Sequence, residues 1–145
     1  MAKMRTAGIE AKLDEKFKIT IKAGDHTMYV DQTKAGGGTD AGATPLEYFL
    51  ASLAGCIGTV ARIIANQKGI TLNGIDMNIE GFFDMEILLG ISKENRAGLT
   101  GIEVILNLDA NMSKAEKEAF VDELESRCPV SDNIINTTPI TVKIV

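Results

Sequence analysis

Two cysteines set the chemistry open to this chain. Cys56 lies inside the apolar run Pro45-Leu46-Glu47-Tyr48-Phe49-Leu50-Ala51-Ser52-Leu53-Ala54-Gly55-Cys56, and Cys128 falls at a break between two helical segments, in Ser126-Arg127-Cys128-Pro129-Val130. The first is placed like a core residue and the second like a helix cap. A thiol reacts as its thiolate, and a free cysteine with a pKa of about 8.5 is mostly protonated near neutrality, so either sulfur needs a group that stabilises the anion. At Cys128 the device is the start of a helix opened by Pro129, whose unpaired N–H groups face the cap, with Arg127 next door. Cys56 has no such device. Mid-helix amides are already paired and burial raises a thiol's pKa, so its activation must come from outside its own helix. Gly55 and Gly58 leave its flanks open to a close-approaching backbone or substrate. Buried free cysteines also serve as inert small hydrophobes, and local physics does not rank the two thiols.

Composition bounds what surrounds them. A chain of 145 residues that is 45% hydrophobic is expected to form one domain, residues 1–145, with roughly two-thirds of its unfolded surface buried. The N-terminal Met1-Ala2-Lys3-Met4-Arg5-Thr6 leads into charged residues rather than an apolar signal core, and no run approaches the ~18 apolar residues of a membrane span. A cytoplasmic protein with no membrane partner is the expectation. There, a widely separated cysteine pair is more readily explained by thiol chemistry than by a structural staple. The formal net charge of -5 argues against nucleic acid as a partner. One histidine and two cysteines cannot assemble the usual closed zinc site, and no metal or other cofactor is expected.

The elements that must position the thiols follow from pattern. Phe17-Lys18-Ile19-Thr20-Ile21-Lys22 alternates at period two, Gly24-Asp25 supplies a turn, and Thr27-Met28-Tyr29-Val30 answers it as a hairpin. The Gly-rich stretch from Ala35 to Ala43 lacks the Gly-Lys-Ser/Thr of a phosphate cradle and adds Asp40 where phosphate would sit, so it reads as a mobile loop. Thr44 caps the next helix, Pro45 opens it, and Glu47 completes a capping box; apolar residues from Leu46 to Ile64 then recur at helical spacing until Gly69 stops it, predicting a helix from about Pro45 to Gln67. Its alanines make it look buried on more than one face. Strands are expected over Leu72–Phe82, with an interruption at Asn73-Gly74, and over Ile102–Asp109. Ser113 and Glu116 form a second capping box for a helix with Ala119, Phe120 and Leu124 inside; Cys128-Pro129 ends it and starts a short helix to about Ile135, before a last strand over Ile140–Ile144.

These residues resemble the OsmC-like family, which includes the organic hydroperoxide resistance enzymes. The likeness rests on Tyr29-Val30-Asp31 followed by Gly37-Gly38, on Thr44-Pro45-Leu46-Glu47 through Ala54-Gly55-Cys56, and on Cys128-Pro129-Val130. It implies an α+β fold of antiparallel strands around a long buried central helix, in an intertwined homodimer with reactive sites at the dimer interface. It also implies roles: Cys56 as the peroxide-attacking cysteine and Cys128 as the resolving one. The implied cycle passes through a sulfenic acid and a disulfide, reopened by an external dithiol such as a dihydrolipoyl group on a carrier protein. Tyr48, Phe49 and Ile57 would either give an apolar wall that favours organic hydroperoxides over hydrogen peroxide or belong to the core.

The family places a glutamate directly after the proline, where this chain has Leu46 and then Glu47. Nine residues separate Glu47 from Cys56, so on one helix they lie ~180° and ~13.5 Å apart. Glu47 is then either a capping residue or a group for the partner subunit's site. The family's early-strand arginine is also missing; Lys18 and Lys22 are the candidates in its place, with Arg5 and His26 as further cations. The alternative function is a noncatalytic dimer that binds a small apolar ligand or senses oxidants.

Overall fold

In the computed structural model, which describes residues 2–145, the period-two run near residue 20 becomes the middle of a three-stranded antiparallel sheet, β1 (Glu10–Leu13), β2 (Ile19–Ala23) and β3 (His26–Val30). Gly24, at φ +58, is the first of two turn residues joining β2 to β3, where a type II′ connection needs a positive φ. Pairing of Ile19 with Val30 and Ile21 with Met28 puts these apolar residues on one face. Lys18, Thr20 and Lys22 fall on the other, with Tyr29 opposite Thr20. Strand β1 was not legible beforehand: Glu10, Ala11 and Lys12 are poor strand formers, and the whole strand is an exposed edge. Phe17, expected in the strand, sits in the turn before it, next to Lys16 at φ +61.

The Gly-rich stretch is not the free loop expected. It folds around Asp31, which is 1% exposed. The Asp31 carboxylate accepts from the Thr39 hydroxyl at 2.6 Å and from the N–H groups of Gln32, Thr39 and Ala41 at 2.8, 3.0 and 3.2 Å. The Thr39 hydroxyl above all, with those amides, outweighs desolvation and brings the Asp31 pKa down to about 2. The glycines serve close approach: a Cβ on Gly38 would lie 2.0 Å from the Gln32 carbonyl oxygen, and one on Gly42 would lie 1.8 Å from that of Tyr29.

Helix α1 (Pro45–Lys68) forms where its capping box and apolar spacing placed it, and Gly69 at φ +67 ends it. By length and composition it could cross a membrane, which the sequence reading had not found in any segment. Only 33% of that apolar window is buried, through Leu53, Ile57, Val60, Ala61, Ile64 and Ala65; Ala51, Phe49 and Ile63 remain exposed.

The chain divides into two compact units, Met1–Phe49 and Leu50–Val145. In the second, β4 (Leu72–Phe82) and β5 (Gly101–Ala110) form an antiparallel ribbon, with its register irregularity at Asn73-Gly74 as expected. Ile75, Met77 and Ile79 pair with Leu108, Leu106 and Val104 on one face, while Asp76, Asn78 and Glu80 take the other. A short helix, α2 (Met85–Leu88), follows β4, capped by the Asp84 side chain, which accepts from the Glu86 N–H. Helix α3 (Lys114–Arg127) carries the predicted Ser113–Glu116 capping box, and buries Phe120 and Leu124 but not Ala119. Helix α4 (Pro129–Ile135) follows after the single residue Cys128. The core gathers the buried side of α1 with Leu72, Leu108, Phe120, Leu124 and Cys128. The expected last strand does not form: Ile140, Val142 and Ile144 are 81–96% exposed, with no partner strand among the described residues.

Candidate functional site

Residues 72 positions apart meet at one point: the Cys128 and Cys56 sulfurs are 2.7 Å from each other, both as free thiols. Each is delivered by a rigid element. Cys56 projects from the middle of α1, and Cys128 is at once the C-cap of α3 and the N-cap of α4, in extended conformation at φ -85, ψ 108. Pro129 disfavours helical geometry at the residue before it, which explains why the chain turns at Cys128. The Cys128 N–H donates to the Glu125 carbonyl at 3.3 Å and the Cys128 carbonyl accepts from the Asp132 N–H at 3.0 Å.

Burial reverses the sequence expectation. Cys128, read as the cap, is the enclosed thiol at 1% exposure, and Cys56, read as the core residue, is only half-buried. The α4 cap nonetheless acts as foreseen: the Ser131 N–H donates to the Cys128 sulfur at 3.4 Å. The same turn also provides what the Cys56 helix could not, since the Val130 backbone amide favours the Cys56 thiolate. Burial is the larger influence and pushes the Cys56 thiol up, and the adjoining Cys128 thiol pushes the same way. Arg127, expected beside the thiols, instead donates to Gln67 and Glu123 at 3.0 and 3.2 Å, in a surface network that includes Lys68.

The other candidates are placed as follows. The Glu47 carboxylate accepts from the Thr44 N–H and hydroxyl at 2.7 and 2.8 Å, and these bonds hold its pKa below the usual range. In its own chain it is a capping residue. The Lys18 ammonium lies 5.8 Å from the centre of the Tyr29 ring, and Lys22 bonds the Thr27 hydroxyl. Arg5 is exposed in an irregular segment, and His26 is exposed at the start of β3. The Tyr48 hydroxyl donates to the Tyr29 carbonyl at 3.0 Å. Ile57 lines an apolar cavity of about 260 Å3 that reaches Cys128 between α1, β5, α3 and α4. Among the described residues, no group of three or more His, Cys, Asp or Glu side chains is arranged to hold a metal ion.

Asp31 and the Val130 amide are the functional or supporting groups that the residue reading missed. The first carried a signal, an acidic residue ahead of a Gly-rich loop. The second had none, because a backbone donor to a sulfur 74 residues earlier depends on tertiary placement.

Comparison with known proteins bears on the family and the fold. The sequence model described as OsmC-like protein matches residues 36–143. A hydroperoxide reductase of Mycoplasma genitalium is 29% identical over 103 residues, covering 71% of this chain and 70% of that protein. The crystal structure of an OsmC-like protein from Mycoplasma pneumoniae superposes with a TM-score of 0.80 at 25% identity, over 92% of this chain and 89% of that one. An organic hydroperoxide resistance protein from Legionella pneumophila shares the fold at a TM-score of 0.67 and 21% identity, over 92% and 91% of the two chains.

Proposed function

The chain belongs to the OsmC-like protein family, and from that premise we propose that it is a thiol peroxidase reducing organic hydroperoxides through Cys56 and Cys128. The observation that carries the reading is the 2.7 Å separation of two sulfurs that the sequence keeps 72 residues apart. The Cys56 thiolate attacks the distal oxygen of ROOH; the O–O bond breaks, ROH departs after protonation, and Cys56 is left as a sulfenic acid. The Cys128 sulfur then attacks that sulfur, water departs, and a disulfide closes. A dithiol restores both thiols; a dihydrolipoyl group on a carrier protein is the expected reductant. The assignment of roles draws support from burial, because a bulky peroxide has more access to half-buried Cys56 than to Cys128 at 1% exposure. The hydroperoxide reductase of Mycoplasma genitalium supports the activity by similarity.

In this reading the two units act as one domain, in the cytoplasm, as a homodimer. Glu47, a cap in its own chain, serves catalysis only if it reaches the partner subunit's site. The alternative, a dimer that senses oxidants or binds a small apolar ligand, draws on the apolar cavity beside Cys128.

A consumption assay separates the two readings. With dithiothreitol or a lipoylated carrier as reductant, cumene hydroperoxide is consumed catalytically and faster than hydrogen peroxide; a single oxidation without turnover would favour the sensor. The pH dependence has a definite sign. Because burial raises the Cys56 pKa, the reactive thiolate is the minor form at neutral pH, and the rate climbs by about tenfold per pH unit until the thiol has titrated. A rate already flat at about pH 7 would mean that other groups overcome burial.

Lys18 or Lys22, in place of the missing arginine, is proposed to offset part of the rise in the Cys56 pKa without overcoming burial. An ammonium near the thiolate lowers the thiol pKa, so removing the responsible lysine raises it; each unit corresponds to about 1.4 kcal/mol. Iodoacetamide alkylation across pH, for Lys18→Met and Lys22→Met on a Cys128→Ser background, reads Cys56 alone. At least one variant moves the midpoint upward. If neither does, activation by that strand is wrong, and Arg5, His26 or a partner-subunit group takes its place.

A further inference from the structure

We propose that an external thiol reopens the Cys56–Cys128 disulfide at the Cys56 sulfur and expels Cys128 as the leaving thiolate. The inference rests on the two-cysteine reading above and fixes the direction of its last step. Exchange requires the attacking sulfur to approach on the side away from the sulfur being displaced, so access to each far side decides which is struck. Within one chain Cys56 is the more accessible of the two: the residue is half-buried, and a Cβ on neighbouring Gly55 would meet no atom within 4 Å. Cys128 is 1% exposed within the core.

The cavity of about 260 Å3 does have Cys128 in its wall, but it is a poor path for an anion. Leu53, Ile57, Leu106, Val121 and Leu124 line it, and Glu125 is its one charged side chain. A thiolate entering there would exchange hydration for hydrocarbon and meet a carboxylate of like sign. The departing sulfur is also provided for. The Ser131 N–H at 3.4 Å from Cys128 bonds more strongly to a thiolate than to a sulfur in a disulfide.

The step balances with a dithiol as reductant. Its first thiolate bonds to the Cys56 sulfur, the Cys56–Cys128 bond breaks, and the electron pair leaves on Cys128, which takes a proton from solvent. The second thiol of the reductant then attacks the mixed disulfide at the reductant's own sulfur. Cys56 returns as a thiol, and the reductant leaves as a disulfide, having given two electrons.

The test uses protein oxidised with diamide, which needs no peroxidase activity. Brief treatment with limiting 2-mercaptoethanol, quenched with excess N-ethylmaleimide, puts mercaptoethanol on Cys56 and maleimide on Cys128, in about tenfold excess over the reverse pattern in peptide mass spectra. The reverse pattern or an even split overturns the proposal. In a second arm, Glu125→Gln leaves the rate of reduction unchanged; a faster variant would mean that the thiolate enters through the cavity, and would overturn it too. Failure of peroxide to oxidise the protein counts against the peroxidase reading alone, because diamide still forms the bond. If diamide closes no disulfide, this inference falls with it.

Discussion

Replacing Cys56 with serine abolishes peroxide reduction, lowering consumption on the order of 10³-fold or more, because a hydroxyl with no adjacent base is not a nucleophile at neutral pH. Cys128→Ser behaves differently. Its Cys56 still makes one attack, but no neighbouring sulfur condenses with the sulfenic acid 2.7 Å away, so a second peroxide carries Cys56 on to the sulfinic and sulfonic acids. Mass spectrometry after a single peroxide pulse, then after excess, distinguishes the two variants. Cys128 lies in the core at 1% exposure, and a serine there still offers the Ser131 N–H an acceptor. Thermal melts of both variants establish that they are folded in the assay. Unchanged consumption by folded Cys56→Ser would sink the assignment, and sustained turnover by Cys128→Ser would remove the resolving role.

Which parts of this arrangement were legible follows from how local their causes are. The ends of α1 are written in Thr44, Pro45, Glu47 and Gly69, each of which acts within a turn of its own position, and the helix appears there. The same holds for Ser113 and Glu116 at α3 and for Pro129 at the break that holds Cys128. Strand β1 escaped because its stability comes from pairing with β2, through Glu10 with Lys22 and Leu13 with Ile19, rather than from its own residues. The burial of the two thiols was misjudged for a related reason. An apolar run does not say which of its faces is covered, and Cys56 lies toward the less covered side of α1, while one turn of backbone brings Cys128 onto Leu124 and the core. The pairing of Cys56 with Cys128 came from family resemblance. No spacing rule joins residues 72 apart.

The remaining large effect is on association: sedimentation at low micromolar concentration gives a mass near twice 15.5 kDa. Several apolar surfaces have no cover among the described residues of one chain. Helix α1 leaves two-thirds of an apolar window unburied, with Ile63 at 43% exposure, and Val104 is 37% exposed although it belongs to the inner face of β5. A two-stranded ribbon such as β4–β5 is marginal by itself and gains from further strands at its open edges. Ile140, Val142 and Ile144 alternate with polar residues as a strand would, yet they have no partner strand among the described residues. A second copy would resolve both shortages by covering the exposed apolar side chains and offering a sheet edge to this tail, with burial contributing about 25 cal/mol per Å2. Removing residues 137–145 then weakens the dimer, read as a shift toward the truncated monomer at the same concentration. Peroxide consumption falls with it if a partner-subunit group activates Cys56. A full-length chain that sediments as a stable 15.5 kDa monomer would overturn the shared core and any site built across it.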